Sequence, residues 1–248
     1  MSSCLILIPA RFGSTRFPGK PLAKINDIPM IQYVIENCKK TGFDYAVVTD
    51  NDDIENFILS LDEKVVRIDD DVPTGSERIA LAYARYFSDK NYELVINVQG
   101  DEPLLKAETI EQIANAHKLK NADIFTGINE RLSTDNDFQN SNIVKCVYAK
   151  ETKSCLYFSR ESLPFAREAK EYTWYQHIGI YSYKPKSLLH FVDLPQSINE
   201  QLEKLEQLRA LDNGMTIGAE IINVTLIGVD TSEDIKRVEK VFREKLSE

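Results

Sequence analysis

Residues 4–21 read CLILIPARFGSTRFPGKP. Cys4 to Ile8 is an apolar run rich in branched aliphatics, the composition of a strand buried on both faces. Behind it come Pro9, Gly13, Pro18, Gly19 and Pro21, which make a loop. That loop carries three cations, Arg11, Arg16 and Lys20, together with Ser14 and Thr15. Glycine lets backbone N–H groups approach and converge on a ligand. Arginine and lysine supply charge for phosphate oxygens. A strand that feeds such a loop is suited to gripping a nucleoside triphosphate, although the same composition also describes a basic surface loop. The spacing is neither GxxxxGK[ST] nor GxGxxG.

Outward from this stretch, the next segments alternate helix and strand. Ile31, Val34, Ile35 and Cys38 recur at helical spacing between Pro29 and Lys40, and Gly42 stops the run. Tyr45 to Val48 reads as a strand, Ile54, Phe57, Ile58 and Leu61 as a helix, and Val65 to Ile68 as a third strand. A βαβαβ order implies a parallel sheet with right-handed crossovers. VPTGSER (72–78) forms a turn into a helix that carries Ile79, Ala82, Tyr83, Tyr86 and Phe87. Thr74, Gly75 and Ser76 offer hydrogen-bonding groups at its start, which serve equally as a simple N-cap or as a cradle for an electronegative ligand edge.

Leu94 to Val98 is a further buried strand, running straight into Gln99-Gly100-Asp101-Glu102-Pro103. Ligands of open parallel sheets bind beyond the carboxyl ends of strands. A carboxylate there, beside a phosphate-gripping loop, suits Mg²⁺, which takes few protein carboxylates plus phosphates and water. Gly-Asp with a following proline is also an ordinary polar turn. The next helix carries Ile110, Ile113, Ala114 and His117, the last read as a packed histidine.

Residues 129–142 are polar and read as a long connection into a second lobe. Ile143–Tyr148 and Cys155–Phe158 have strand composition, and Ser159-Arg160 follows. In a strand, His177, Gly179, Tyr181 and Tyr183 of HIGIYSY share one face, a composition that fits a binding surface or an aromatic outer face. Ile198 to Asp212 reads as one helix that places Glu203, Glu206 and Gln207 on a common side, a pattern that also describes a solvated charged face. Ile217–Ile222 reads as a late strand, and Leu226–Val229 is a further apolar run that ends in Asp230-Thr231. Asp230 stands where it could cap the last helix, which carries Ile235, Val238, Val241 and Phe242.

The chain has 248 residues, a net charge of −9 and a pI near 5.0, which argues against nucleic acid as partner. Cys4, Cys38, Cys146 and Cys155 show no CxxC spacing and read as buried free thiols. No stretch approaches 18 apolar residues, so no membrane partner and a cytoplasmic location are expected.

Several of these motifs together carry a family resemblance. IPARFGSTRFPGKPL resembles the signature loop of the sugar nucleotidyltransferases, and among them of the 3-deoxy-manno-octulosonate (KDO) cytidylyltransferases. QGDEP, YFSR, HIGIY, LEQLRALDNG and VDTSED resemble that family in the same order along the chain. The resemblance implies a Rossmann-like α/β nucleotidyltransferase fold with a mostly parallel sheet. It implies a nucleotide-binding core over about 1–128 and 214–248, and a sugar-binding and dimerisation lobe over 143–213. Such enzymes transfer CMP from CTP to KDO with Mg²⁺, releasing pyrophosphate, for lipopolysaccharide synthesis; a homodimer is the expected assembly. The resemblance implies nucleotide contacts at Ala10, Arg11, Ser14, Thr15, Arg16, Lys20, Gly75, Ser76 and Arg78. It implies sugar contacts at Gln99, Arg160, His177, Tyr181, Glu206 and Gln207, and metal ligation by Asp101 and Asp230. Arg11, Lys20, Asp101 and Asp230 are its catalytic candidates. The chain departs from the family's usual pattern at Thr74, where serine is common, and at Ser232, where proline is common. The same chemistry on 8-amino-KDO or a related acid, and a non-catalytic sensor on the same fold, are the alternatives.

Overall fold

The structure, a computed structural model, describes residues 3–13, 17–168 and 171–245. Ser14, Thr15 and Arg16 lie outside the described residues. The chain divides into two compact units, Met1–Glu111 with Thr225–Glu248, and Gln112–Val224. The second unit is larger than the expected lobe, taking in residues 112–142 and 214–224 as well.

In the first unit, β1 (Cys4–Pro9) is followed by a short β2–β3 hairpin (Lys24–Ile25, Ile28–Pro29), α1 (Met30–Lys40), β4 (Asp44–Thr49) and α2 (Asp52–Ser60). Next come β5 (Val65–Arg67), α3 (Gly75–Tyr86), β6 (Leu94–Asn97) and α4 (Ala107–Leu119), which runs on into the second unit. The strands β5-β4-β1-β6 lie side by side and all are parallel. β1 sits between two neighbours, with Ile6 opposite both Tyr45 and Ile96, so Cys4 to Ile8 are wholly buried. That is why its sequence is continuously apolar rather than alternating. Each such side chain contributes roughly 1.5–3 kcal/mol by leaving water.

The helices cover this sheet through the predicted positions. Ile31, Val34, Ile35 and Cys38 of α1 are buried, and the chain leaves the helix through Gly42 at φ +68°. Asn51 caps α2 by accepting from the backbone N of Asp53 (3.0 Å) and Ile54 (3.1 Å). Parallel strands that share a direction deliver their loops to one end of the sheet, so the segments after β1 and β6 emerge together.

The second unit contains β7 (Ile124–Leu132), β8 (Lys145–Ala149), β9 (Ser154–Ser159) and β10 (Thr173–Tyr183), then α5 (Pro185–Asp193), α6 (Ile198–Glu203), α7 (Gln207–Asp212) and β11 (Ile217–Ile221). Its strands run β10-β7-β11-β9-β8, antiparallel except for β7 with β11. β8 also pairs with β10, which closes the order into a ring. β10 carries an irregularity between Ile178 and Tyr181, where the register against β7 shifts. The last helix, α8 (Ser232–Lys245), returns to the first unit.

Two expectations need correction. Residues 129–142 are not a plain connection: Asn129–Leu132 complete β7, and the Arg131 guanidinium then grips Asp135 (2.5 Å) and Asp137 (2.7 Å). The helix expected over 198–212 is two helices, broken where Lys204 takes φ +55°. Glu203 therefore does not share a face with Glu206 and Gln207. The apolar run Leu226–Val229 serves a core cluster of the first unit. Its apolar residues pack into a cluster of Ile25, Met30, Leu104, Val229 and Val238, flanked by Leu226, Tyr33 and Phe242. Tyr33 of α1 stacks on Phe242 of α8 at 4.9 Å.

Candidate active site

The loop after β1 is fixed at both ends. Ala10 N donates to Val48 O at 2.9 Å, extending the parallel ladder one residue past the strand. Arg11, exposed, reaches across to donate to Pro73 O at 3.1 Å. At the far end, Gly19 adopts φ +69°, a conformation that only glycine takes without strain, and its N donates to Phe12 O at 3.1 Å. A 3₁₀ turn over Lys20–Leu22 follows, and it throws the Lys20 side chain back across the loop.

The Lys20 ammonium lands between two carboxylates. Its Nζ lies 2.5 Å from Asp101 Oδ2 and 3.1 Å from Asp230 Oδ1. Burial works against the lysine's charge, but Asp101 and then Asp230 outweigh it, and its pKa is raised. Asp101 follows β6 through Gln99 and Gly100. A Cβ on Gly100 would sit 3.1 Å from Pro9 O and 3.2 Å from Ile31 Cδ1, so the absence of a side chain lets this turn lie against the end of β1.

Asp230 is brought in from the far end of the chain by two devices. Val229 N donates to Asp101 O at 3.1 Å, and the Val229 side chain is anchored in the apolar cluster below. Asp234 then accepts from the backbone N of Asp230 (3.2 Å) and Thr231 (3.0 Å) and from Thr231 Oγ1 (2.9 Å). Asp234 and Thr231 thus cap α8, and Asp230 is not spent as a cap. Ser232 takes the helix's first position without disturbing this arrangement.

These groups line a cleft of about 470 Å³ together with Pro9, Ala10, Arg11, Gly13, Gly75, Arg78, Gln99 and Gly100. Gly75 opens α3, whose cap is the Thr74 hydroxyl, accepting from Glu77 N at 3.2 Å. Ser76 is buried in the first turn. Arg78 reaches the cleft wall, but its guanidinium is held by Ile68 O (2.6 Å) and Asp50 (2.8 Å), which makes it a strut as well as a lining residue. Gln99 donates to Asn97 Oδ1 at 2.9 Å and so faces the cleft of the first unit.

The donor set fits a divalent cation. Two carboxylates already converge on one positive charge, all donors are oxygen, and the cleft has room for phosphates to complete an octahedral shell. Glu102 adds a third carboxyl beside them. Burial, and then the neighbouring Asp101, push its pKa up to about 8. Its Oε2 is buried and has no hydrogen-bond partner among the described residues. The adjacency of two acids in QGDEP was the one sequence signal for Glu102.

In the second unit, the remaining candidates stand on β9, β10 and the break between α6 and α7. His177 packs edge-on against Phe158 (5.0 Å) and tilts against Tyr181 (5.4 Å), and its Nε2 lies 3.1 Å from Thr126 Oγ1. Burial pushes the His177 pKa down to about 3, so the ring is neutral near pH 7. Burial pushes Tyr181 well above the usual phenol range, and Tyr183 and Glu206 add to this. His177, Tyr181 and Glu206 therefore lie in one neighbourhood. Tyr183 continues the same row but is core, stacked on Phe191 at 6.1 Å. Gln207 is 5 % exposed, and its Nε2 has no partner among the described residues. Arg160 donates through Nε to Glu203 O (2.8 Å) and through Nη1 to Ser141 O (3.1 Å). His117 is packed, as read: Nε2 meets Ala122 O at 3.1 Å, which can only accept, so Nδ1 takes the Ser182 hydroxyl at 2.8 Å.

The chain matches the family model described as Cytidylyltransferase over residues 5–217. It is 41 % identical over 248 residues to the 3-deoxy-manno-octulosonate cytidylyltransferase of Thermodesulfovibrio yellowstonii, covering 95 % of this chain and 96 % of the relative. It is 41 % identical to the protein of the same name from Francisella tularensis subsp. holarctica, covering 98 % and 99 %. Among solved structures it superposes on a CMP:2-keto-3-deoxy-manno-octonic acid synthetase complexed with CTP, with TM-score 0.90 at 29 % identity, over 98 % of this chain and all (100 %) of the other. A cytidylyltransferase from Leptospira borgpetersenii, 16 % identical with TM-score 0.65 over 98 % of this chain and 88 % of the other, shares the fold. By sequence over nearly its whole length and by fold, the chain belongs to the cytidylyltransferase family, among the 3-deoxy-manno-octulosonate cytidylyltransferases.

Proposed function

We propose that this protein joins CMP from CTP to 3-deoxy-manno-octulosonate and releases pyrophosphate. The observation that carries the reading is the meeting of Lys20, Asp101 and Asp230 in one cleft below the loop that holds Arg11. The sugar's anomeric hydroxyl oxygen forms a bond to the α-phosphorus of CTP as the bond to pyrophosphate breaks, and the hydroxyl proton leaves to solvent. Phosphoryl transfer of this kind depends mostly on positioning and on neutralising charge.

Arg11 and Lys20 meet the phosphate oxygens, with Ser14, Thr15 and Arg16 of the same loop as further donors by sequence. Asp101 and Asp230 would hold Mg²⁺, which would supply charge neutralisation to the phosphates and favour ionisation of the attacking hydroxyl. Ala10, Gly75, Ser76 and Arg78 take the base side of the nucleotide, and Gln99 faces the reacting end. Arg160 pairs with the sugar carboxylate. His177, neutral because burial disfavours its charge, exchanges hydrogen bonds with a sugar hydroxyl and adds no charge. Tyr181, Glu206 and the unsatisfied Gln207 Nε2 complete that side.

The protein is read as a homodimer, because the second unit presents Leu156, Phe165, Ile198 and Leu202 at 59, 86, 76 and 77 % exposure. A cytoplasmic location follows from soluble substrates, and no described helix is long and apolar enough to cross a membrane. The test is pyrophosphate release with CTP and Mg²⁺ and, in parallel, KDO, 8-amino-KDO or a sialic acid. Release with KDO is the expected result. Release with only another acid moves the substrate assignment. Binding of CTP with no release in any arm replaces the enzyme by a nucleotide sensor.

A further inference from the structure

The end of β9 is held by groups whose identity the reaction alone does not explain. Glu203, the last residue of α6, accepts from Ser159 Oγ at 2.6 Å and from the backbone N of Arg160 at 2.9 Å, one bond to each carboxylate oxygen. Its main-chain carbonyl accepts from Arg160 Nε at 2.8 Å. Ser141 O takes Nη1 at 3.1 Å. From β8, the wholly buried Lys145 side chain donates to Arg160 O at 2.9 Å and Asn140 O at 2.8 Å.

A carboxylate next to an arginine ordinarily forms a bidentate pair with it. Here Glu203 turns its carboxylate to a hydroxyl and a backbone N–H and offers the guanidinium only a neutral carbonyl. Two of the guanidinium's five N–H donors are thereby held by carbonyls. Among the described residues no carboxylate pairs with it, so the plane is oriented and the charge is intact. Lys145 sets a second cation behind it, also held by carbonyls alone. Burial lowers the Lys145 pKa and Arg160 adds to this, against the opposing charges of Glu161, Asp137 and Glu203 nearby. An oriented guanidinium with no carboxylate in its plane suits an anion that arrives from outside.

We propose that Glu203 and Lys145 are positioning residues that hold Arg160 as an oriented, unneutralised cation and so select for a carboxylated sugar. The proposal rests on the reading of Arg160 as the partner of the sugar carboxylate.

The test is steady-state kinetics on the full chain carrying Arg160→Ala, Glu203→Ala, Glu203→Gln or Lys145→Met. CTP binding is followed by calorimetry, and the C1 amide of the sugar serves as a competitor that lacks the carboxylate. Glu203→Ala and Lys145→Met are expected to raise the sugar KM by about tenfold, the equivalent of one lost charge-assisted contact, while the affinity for CTP changes by less than about twofold. Glu203→Gln, which retains an acceptor for Ser159 or Arg160 N, falls between wild type and Glu203→Ala. The amide's inhibition constant stays put in all of them. If Arg160→Ala raises the sugar KM but the Glu203 and Lys145 variants do not, the positioning role is wrong. If they raise the amide's constant as much as the sugar KM, the clasp is merely structural and the proposal is overturned. If Arg160→Ala leaves the sugar KM unchanged, the assignment of Arg160 itself falls, and the proposal with it. Should Glu203→Ala fail to fold, Glu203→Gln and Lys145→Met decide.

Discussion

The two units solve the same electrostatic problem in opposite ways. In the first, the cation and the anions of the site face each other: Lys20 lies between Asp101 and Asp230, so the cleft is close to self-neutralised. In the second, Arg160 and Lys145 are held by carbonyls, and His177 is kept neutral. The first site must exchange partners when it fills. The second waits with its charge unspent. The contrast matches the ligands proposed for each: a polyanion accompanied by a divalent cation needs both signs, and a monoanionic sugar needs one.

The largest effect is expected where the contrast is sharpest. Asp101→Asn removes a charge from the paired site and should lower kcat by more than about tenfold, each tenfold loss corresponding to 1.4 kcal/mol. Turnover close to wild type at saturating Mg²⁺ would remove the metal role. Lys20→Ala should raise the KM for CTP by about tenfold and leave that for the sugar nearly unchanged. It should also leave Asp101 and Asp230 facing each other without a counter-ion, so added Mg²⁺ should raise the melting temperature more than in wild type. A CTP KM that does not move would break the comparison from the other side.

A smaller effect concerns pH. Burial pushes His117 down to about 4 and His177 down to about 3. Below an ordinary histidine pKa of 6.5 the unfolded chain takes up protons that the folded chain refuses, so stability falls as pH drops from about 6.5 toward 4. Thermal melts across that range should show the decline. His117→Gln should cost about 1–3 kcal/mol near pH 7, through the lost Ser182 and Ala122 bonds, while flattening the acid slope. An unchanged slope would remove His117 from the account.

Much of the first unit was legible because its elements are periodic and its core strands are buried on both faces. β1 is continuously apolar, and α1 buries the residues that its spacing marks. The second unit was harder, for local reasons. The sequence EKLEQL reads helical straight through Lys204, and only a left-handed residue there separates Glu203 from Glu206. In the first unit, Leu226–Val229 is apolar because it packs against α8, a partner that composition alone does not reveal. Glu130–Leu132 lie where β7 outruns its core, and Asn129, though polar, is buried and paired with the Val224 backbone. At the site, residue types and motif order identified the candidates. The convergence of Lys20 on acids 81 and 210 positions away is a property of the fold and is invisible in any window of sequence. Lys145 did carry a signal: a lone charge inside the apolar run IVKCVY, where only a satisfied ammonium can be tolerated.

The discontinuity of the first unit has a further consequence for how a working molecule is born. Lys20 and Asp101 are made early, but Asp230 follows Lys20 by 210 positions. At ~5–20 residues per second, roughly 10 to 40 s of synthesis separates the two. Throughout that interval the nascent chain has the loop that carries Lys20 but lacks α8 and the second acid. A chain stalled before Thr225 has Lys20 and Asp101 but neither Asp230 nor the segment that anchors it, so the cleft is complete only once α8 has been made.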